Sequence, residues 1–148
     1  MQIICCRATS AHDLSAGLEI REAVFIVEQN VPAALERDGH DNDCLHYLIT
    51  VDGIAMGTAR VMVLNDKFKF QRVAILPVAR GIGLGATLMR FMMDDLAARN
   101  DAAGKSVFLS SQVSAIGFYE HLSFEICSDA YMDAGIEHKD MVRPITAQ

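Results

Sequence analysis

Basic residues are in short supply: 13 Lys and Arg stand against 19 Asp and Glu in 148 residues, a formal charge of −6. No positive field exists to displace counterions from a phosphate backbone, so nucleic acid is a poor match, and a cationic small molecule such as an amine suits an acidic chain better. Long apolar runs are missing too. The strongest, Ala23 to Val27 and Val73 to Ala79, fall far short of the ~18 residues that cross a bilayer, which argues against a membrane span. Met1 to Asp13 has no apolar block behind basic residues and does not read as a secretory signal, so a cytoplasmic location is expected. Cysteine is sparse and unpatterned. Cys5 and Cys6 adjoin, Cys44 and Cys127 stand alone, and the lack of a C-x-x-C pair predicts free thiols and no metal site. With 10 Gly, 3 Pro and 51% hydrophobic residues, wholesale disorder and collagen-like repeats are excluded. The expectation is one compact domain over residues 1–148, large enough to fold without disulfide or metal support.

What is present is a set of elements with clear periods. Gln2 to Ala8 is β-prone and leads to Ser10, with Asp13 three residues on, a capping signature that predicts a helix. Leu14, Leu18, Val24, Phe25 and Val27 fall near one helical face, while the run Val24 to Val27 is β-branched enough to leave the end of that helix open. Asn30 to Asp43, polar and acidic, reads as an exposed loop. From Leu45 the pattern alternates through Val51, turns at Asp52-Gly53 and resumes from Ile54 to Leu64, the signature of a β-hairpin. Phe68 to Leu76 gives a third strand, stopped by Pro77. Leu84, Leu88, Met92 and Leu96 then mark an amphipathic helix to about Arg99, with methionine as core filling. Lys105 to Ser110, Phe124 to Cys127 and Lys139 to Arg143 are strand candidates, and Ser114 to His121 a short helix. Hairpin-linked strands followed by β-α-β crossovers imply a mixed sheet with helices on its faces.

The chemistry concentrates after the third strand, where Val73-Ala74-Ile75-Leu76 runs through Arg80-Gly81-Ile82-Gly83-Leu84-Gly85-Ala86 into the second long helix. Unpaired N–H groups and the positive dipole end at a helix start make an anion site, glycine lets oxygens approach the amides, and Arg80 adds charge. Phosphate is the matching ligand. A turn that merely opens a helix needs less than three glycines and a basic residue. The segment also satisfies G-x-G-x-x-A, but Asp101 precedes the next strand instead of ending it, which argues against a dinucleotide fold; Gly85 is not followed by Lys-Ser or Lys-Thr, which excludes a P-loop.

Arg80 to Gly85 resembles the R/Q-x-x-G-x-G/A pyrophosphate loop of the GCN5-related N-acetyltransferase (GNAT) family, and Ala115-Ile116-Gly117-Phe118-Tyr119-Glu120-His121-Leu122-Ser123-Phe124 resembles its A-x-x-F-Y-x-x-L-G-F block, with Ser123 where glycine is usual. Arg21 to Gln29, Asp38 to Asp41, His46, Gly57 to Arg60 and Ala134 to His138 look like the small bacterial branch that includes the ElaA and YjcF proteins. The resemblance covers nearly the whole chain. It implies an α/β GNAT fold: a mixed, strongly twisted sheet whose central parallel strands splay apart, with helices on both faces. It further implies that acetyl-CoA lies in the splay, its pantetheine along Val73, Ala74 and Ile75, its pyrophosphate on Arg80, Gly81, Ile82, Gly83, Leu84, Gly85 and Ala86, with Ala115 and Phe118 on the other side.

Transfer to an amine in a ternary complex needs a neutral nitrogen, donors for the oxyanion and an acid for the departing thiolate. A backbone N–H near Val73 or Ala74 suits the second need. The resemblance assigns the acid to Tyr119, against the plainer alternative of a core tyrosine with an anchored hydroxyl. For the base, Glu28 and His46 are the leading candidates, with Asp38, Asp41, Asp43 and His138 open beside them and a solvated loop face the plain reading of each acid. Arg60 and Arg72 either pair with acids or border the cofactor entrance. The expected acceptor is a small-molecule or peptide amine, and family habit suggests a homodimer. Two other readings stand: a non-catalytic acyl-CoA-binding or sensing domain, and an acyl-homoserine-lactone synthase, echoed by Arg21, Phe25, Glu28, Asp38, Asp41 and Arg60. The second is disfavoured by the short chain, the absence of Trp and the intact Arg80 loop.

Overall fold

The computed structural model describes residues 1–145. Strand β1 (Ile3–Arg7) precedes α1 (Ala11–Arg21), which Ser10 caps by accepting the Asp13 N–H on its Oγ at 3.1 Å. The β-branched run that follows stays helical but widens: Glu22–Glu28 is a π-helix, closed by the Gln29 N–H donating to the Val24 carbonyl at 3.1 Å. A widened helix relieves crowding between branched side chains one turn apart and shifts which residues face the sheet.

The hairpin forms where the alternation placed it. Strands β2 (Leu45–Val51) and β3 (Ile54–Val63) join through Asp52 and Gly53, at φ +49° and +82°, the left-handed pair that a two-residue turn requires. Along β2, Tyr47 and Ile49 enter the larger core while Leu48 enters a second one with Ile20 and Val24 of the N-terminal helices. Both sheet faces are therefore covered. The larger core is closed by α3 (Leu84–Ala97), which buries Leu84, Leu88, Met89, Met92, Met93 and Leu96, each worth roughly 1.5–3 kcal/mol over exposure.

Strands β4 (Lys67–Ile75) and β5 (Ser106–Gln112) run parallel, as a crossover through α3 requires. Helix α4 (Ile116–Glu120) follows, then β6 (Glu125–Ile126), β7 (Tyr131–Asp133) and β8 (Ile136–Pro144). The sheet order is β1-β2-β3-β4-β5-β8-β6, with β7 paired to β8. Among the described residues only the central β4–β5 pairing is parallel, so the sheet is mixed, as expected. No helix among the described residues is long and apolar enough to cross a membrane.

Two expectations are corrected. Asn30 to Asp43 is not an exposed loop throughout: it contains α2 (Ala33–Glu36), and Glu36 is 1% exposed because three arginines supply its hydrogen bonds. The last strand starts at Ile136, three residues before the expected Lys139, and forms a hairpin with β7 across Ala134 and Gly135 at φ +51° and +76°. The pattern there is masked because polar residues, Glu137 to Asp140, fill the half-buried start of the strand.

Candidate functional site

The central feature is a gap. Strand β4 pairs with β5 from Lys67–Ser106 to Phe70–Leu109 and no further, although β4 continues to Ile75 and β5 to Gln112. The cause lies on the other edge of β4. Thr58 faces Ala74 and Arg60 faces Gln71, so Ala59 alone opposes both Arg72 and Val73: a β-bulge, with Arg72 at φ +56°. A bulge bends and twists its strand, which carries β4 away from β5. The strain at Arg72 is offset by its side chain, whose Nε donates to Glu36 Oε2 at 2.9 Å and whose Nη2 donates to the Leu35 and Glu36 carbonyls at 3.2 Å each. The acidic loop thus holds the bulge from above.

Glu36 also accepts from Arg21 (Nη2 to Oε2, 2.7 Å) and Arg37 (Nε to Oε1, 2.8 Å). Asp38 and Asp41 accept from Arg60, which is 1% exposed, and Asp41 from Arg21 as well. Burial opposes ionisation of Glu36, but the surrounding arginines outweigh it and keep its pKa below the usual carboxylate range. Asp38 is held well below that range by its hydrogen bonds from Arg60. At Asp41 burial again opposes and Arg21 and Arg60 prevail. These acids are structural counterions.

The splay opens into a cavity of about 680 Å³. Val73, Ala74 and Ile75 form its β4 wall, where the strand edge has no β5 residue beside it. At one end lies the glycine loop: Gly81 and Gly83 stand at φ +86° and +84°, and Gly83 caps α3 from the left-handed region. A Cβ at either would meet nothing within 4 Å. Glycine is needed there by the backbone path, which turns the first N–H groups of α3 outward, unpaired within the helix. At Gly85 the reason is space, since a Cβ would come 3.1 Å from Phe118 Cζ. Leu84, Ala86, Ala115 and Phe118 complete this end.

Tyr119 lines the same cavity, held by edge-on packing with Phe118 and Phe124 at 5.0 and 5.8 Å between centroids. Burial raises its pKa to about 12. Among the described residues nothing hydrogen-bonds its hydroxyl, which is not sealed from solvent. Its position is set by the end of α4. The Phe124 N–H donates to the Tyr119 carbonyl at 3.1 Å and the Ser123 N–H to Glu120 at 3.0 Å, a Schellman closure with Ser123 at φ +70° in place of the favoured glycine.

Of the residues singled out from sequence, Val73, Ala74, Ile75, Arg80, Gly81, Gly83, Leu84, Gly85, Ala86, Ala115, Phe118 and Tyr119 share this cavity, while Ile82, Glu28 and His46 do not line it. Ile82 is exposed. Glu28 is engaged by Arg80 through two hydrogen bonds of 2.7 Å, which lower its pKa, opposite to what a base near neutrality needs. His46 Nε2 lies 2.7 Å from the Asp41 carbonyl, which can only accept, so that nitrogen is the donor. Asp43 is exposed on its loop. Two contributors had no sequence signal: Glu36, and a hydrogen bond of 2.8 Å from Gln112 to Gln29 that ties the end of β5 to the π-helix. Among the described residues no three His, Cys, Asp or Glu side chains gather as a metal site would need.

A mixed sheet with a splayed parallel pair facing a glycine-rich helix start is the GNAT fold expected from the sequence. Residues 9–144 match the acetyltransferase (GNAT) domain family, to which the chain belongs. A Bacillus subtilis protein named as an acetyltransferase is 37% identical over 141 residues, 93% of each chain. Escherichia coli ElaA is 30% identical over 92% of this chain and 90% of its own, and its crystal structure superposes with a TM-score of 0.85 over 96% of this chain and 99% of that one. At the level of fold alone, an aminoglycoside 6′-N-acetyltransferase complexed with coenzyme A matches over 100% of this chain and 99% of that one, at 10% identity and a TM-score of 0.73.

Proposed function

We propose that the protein transfers the acetyl group of acetyl-CoA to a primary amine of a small molecule or peptide, by direct attack in a ternary complex. The observation that carries this is the meeting of three features in one cavity: the free edge of β4, the amide-rich start of α3, and the open hydroxyl of Tyr119. The residues fit such a cosubstrate. Val73 to Ile75 offer backbone groups to an extended, amide-containing arm, and the amides from Gly81 to Ala86 suit a diphosphate. Bound acetyl-CoA supplies an activated thioester carbonyl. The chain's part is to orient it along β4, to offer a main-chain N–H near Val73 or Ala74 to the carbonyl oxygen, and to hold on Tyr119 Oη the proton for the leaving sulfur. A raised pKa keeps that proton in place at neutral pH.

Thermal unfolding with and without acetyl-CoA tests the reading. At a hundredfold excess over Kd the cosubstrate stabilises by ~2.7 kcal/mol. With an amine panel, Tyr119→Phe keeps that stabilisation and loses roughly 10²-fold or more in kcat. Absence of stabilisation overturns the proposal, and undiminished Tyr119→Phe turnover removes Tyr119 from the chemistry.

A further inference from the structure

At neutral pH an alkylamine arrives as an ammonium and cannot attack until it loses a proton. Two carboxylates there are already engaged, Glu36 on the cavity wall by Arg21, Arg37 and Arg72 and Glu28 beside it by Arg80, while Asp133, the other carboxylate on the wall, is exposed and suits attracting the cation. We propose that His138 is the general base on the acceptor side, acting through Nε2. The proposal rests on the acetyl-transfer reading above.

His138 pairs with Gln112 at the last rung between β8 and β5, beyond the point where β4 has turned away. Alternation along β8 sends Met141 into the α3 core opposite Leu109 and His138 to the opposite face. The cavity is continuous between the two faces, since His138 lines it together with Tyr119 and the glycine loop. One reactant can therefore enter from the α3 side and the other from the His138 side.

The ring's protonation is readable from geometry. His138 Nδ1 lies 2.7 Å from the Ile136 carbonyl, which can only accept, so Nδ1 carries the hydrogen and the neutral ring presents a bare lone pair on Nε2. Among the described residues Nε2 has no partner, and it is not sealed from solvent. The ring is oriented by stacking on Tyr131, 6.1 Å between centroids and 23° between planes. Tyr131 is fixed in turn: its hydroxyl donates to Asp140 Oδ1 at 2.5 Å, which also accepts from Ser110 Oγ at 2.8 Å. The titratable and charged groups that share the cavity wall with the ring are Glu36, Lys69, Arg72, Arg80, Tyr119 and Asp133, with Tyr131 stacked on it and Asp140 on the same face of β8, while Glu137 and Lys139 alternate to the other face. Asp133, on the cavity wall, is the carboxylate that meets an incoming ammonium. In the step proposed, one N–H bond of the ammonium breaks and an Nε2–H bond forms. The positive charge passes from substrate to imidazolium, which returns its proton to water at the end of the cycle.

Two measurements decide it. Nitrogen-15 NMR of histidine-labelled protein should show His138 with a proton on Nδ1 and a pyridine-type Nε2 that shifts as an amine acceptor is added; an Nε2–H tautomer overturns the proposal. His138→Asn keeps a donor for the Ile136 carbonyl and removes the base. It should retain the acetyl-CoA thermal shift and lose roughly 10²-fold in kcat/KM near pH 7, with the loss shrinking as pH climbs toward the amine's own pKa. No loss, or a loss uniform with pH, overturns the role of His138 alone. A wild type that acetyl-CoA does not stabilise overturns the transferase reading, and this role with it.

Discussion

Ser123 shows what one residue can cost and what it can leave intact. At φ +70° it occupies the left-handed C′ position of a Schellman closure, where a side chain raises the energy by about 1 kcal/mol relative to glycine. The hydrogen bonds from Phe124 and Ser123 form regardless, and Tyr119 keeps its place between Phe118 and Phe124. Ser123→Gly should therefore raise the melting temperature by a few degrees, up to ~1 kcal/mol in a denaturant titration, with acetyl-CoA binding unchanged; a destabilised variant contradicts the strain argument. Glu28 carries a second expectation. Its two bonds to Arg80 occupy the cation that the glycine loop would otherwise present to an anion. Glu28→Gln should tighten acetyl-CoA binding by a few-fold at low ionic strength and less at high salt, since an exposed ion pair is worth about 1 kcal/mol at most. Weaker binding in that variant would show that the pair builds the site.

At the scale of elements, local signals were read well and long-range ones were not. The Asp52-Gly53 turn, the Ser10 cap and the four-residue stripe of α3 each involve neighbours in sequence, so the pattern and its structural consequence coincide. The bulge at Arg72 had no such marker. Its conformation is stabilised by Glu36, 36 residues away, and no spacing rule joins the two. The π-helix was visible only as an unresolved conflict between helical period and β-branching at Val24 to Val27. Most of the cavity wall was legible because it lies in one continuous stretch, Val73 to Ala86, and Tyr119 through its motif; His138 stood as one of six candidate bases, because only the pairing of β8 with β5 brings it to the cavity. Two glycines test the reading of the helices. Gly83→Ala forces a Cβ onto φ +84° and should cost roughly 1–2 kcal/mol. Gly117→Ala, inside α4 with nothing within 4 Å of the new Cβ, should gain up to ~1 kcal/mol from helix propensity. Chemical denaturation of the pair should move in opposite directions, and a shared direction rules out backbone conformation as the reason for glycine at position 83.

For the whole molecule, the arginine–carboxylate cluster joins parts of the chain that secondary structure leaves separate. Arg21 belongs to α1, Glu36 to α2, Arg60 to β3 and Arg72 to β4, and the acids between them bind all four. Arg21, Glu36 and Arg60 are 2%, 1% and 1% exposed, so removing one partner strands a charge that water cannot reach. Glu36→Gln should destabilise by about 3–5 kcal/mol at pH 7 and, by releasing Arg72, loosen the bulge that opens the cavity. The pH dependence has a definite sign. Glu36, Asp38 and Asp41 all have folded pKa values below their ordinary ones, so the stability they contribute is present in full above the unfolded values near 4 and drains away as pH falls through the folded ones. Melting temperature should stay nearly level from pH 7 to 5 and drop steeply below about 4, each carboxylate adding up to ~1.4 kcal/mol per pH unit. In Glu36→Gln one of the three protonations is gone, so the acid limb should be shallower even though the variant starts from a lower stability. An equal slope in the two proteins would mean that Glu36 is not charged in the native fold, and the account of how the loop holds the splay open would have to be abandoned.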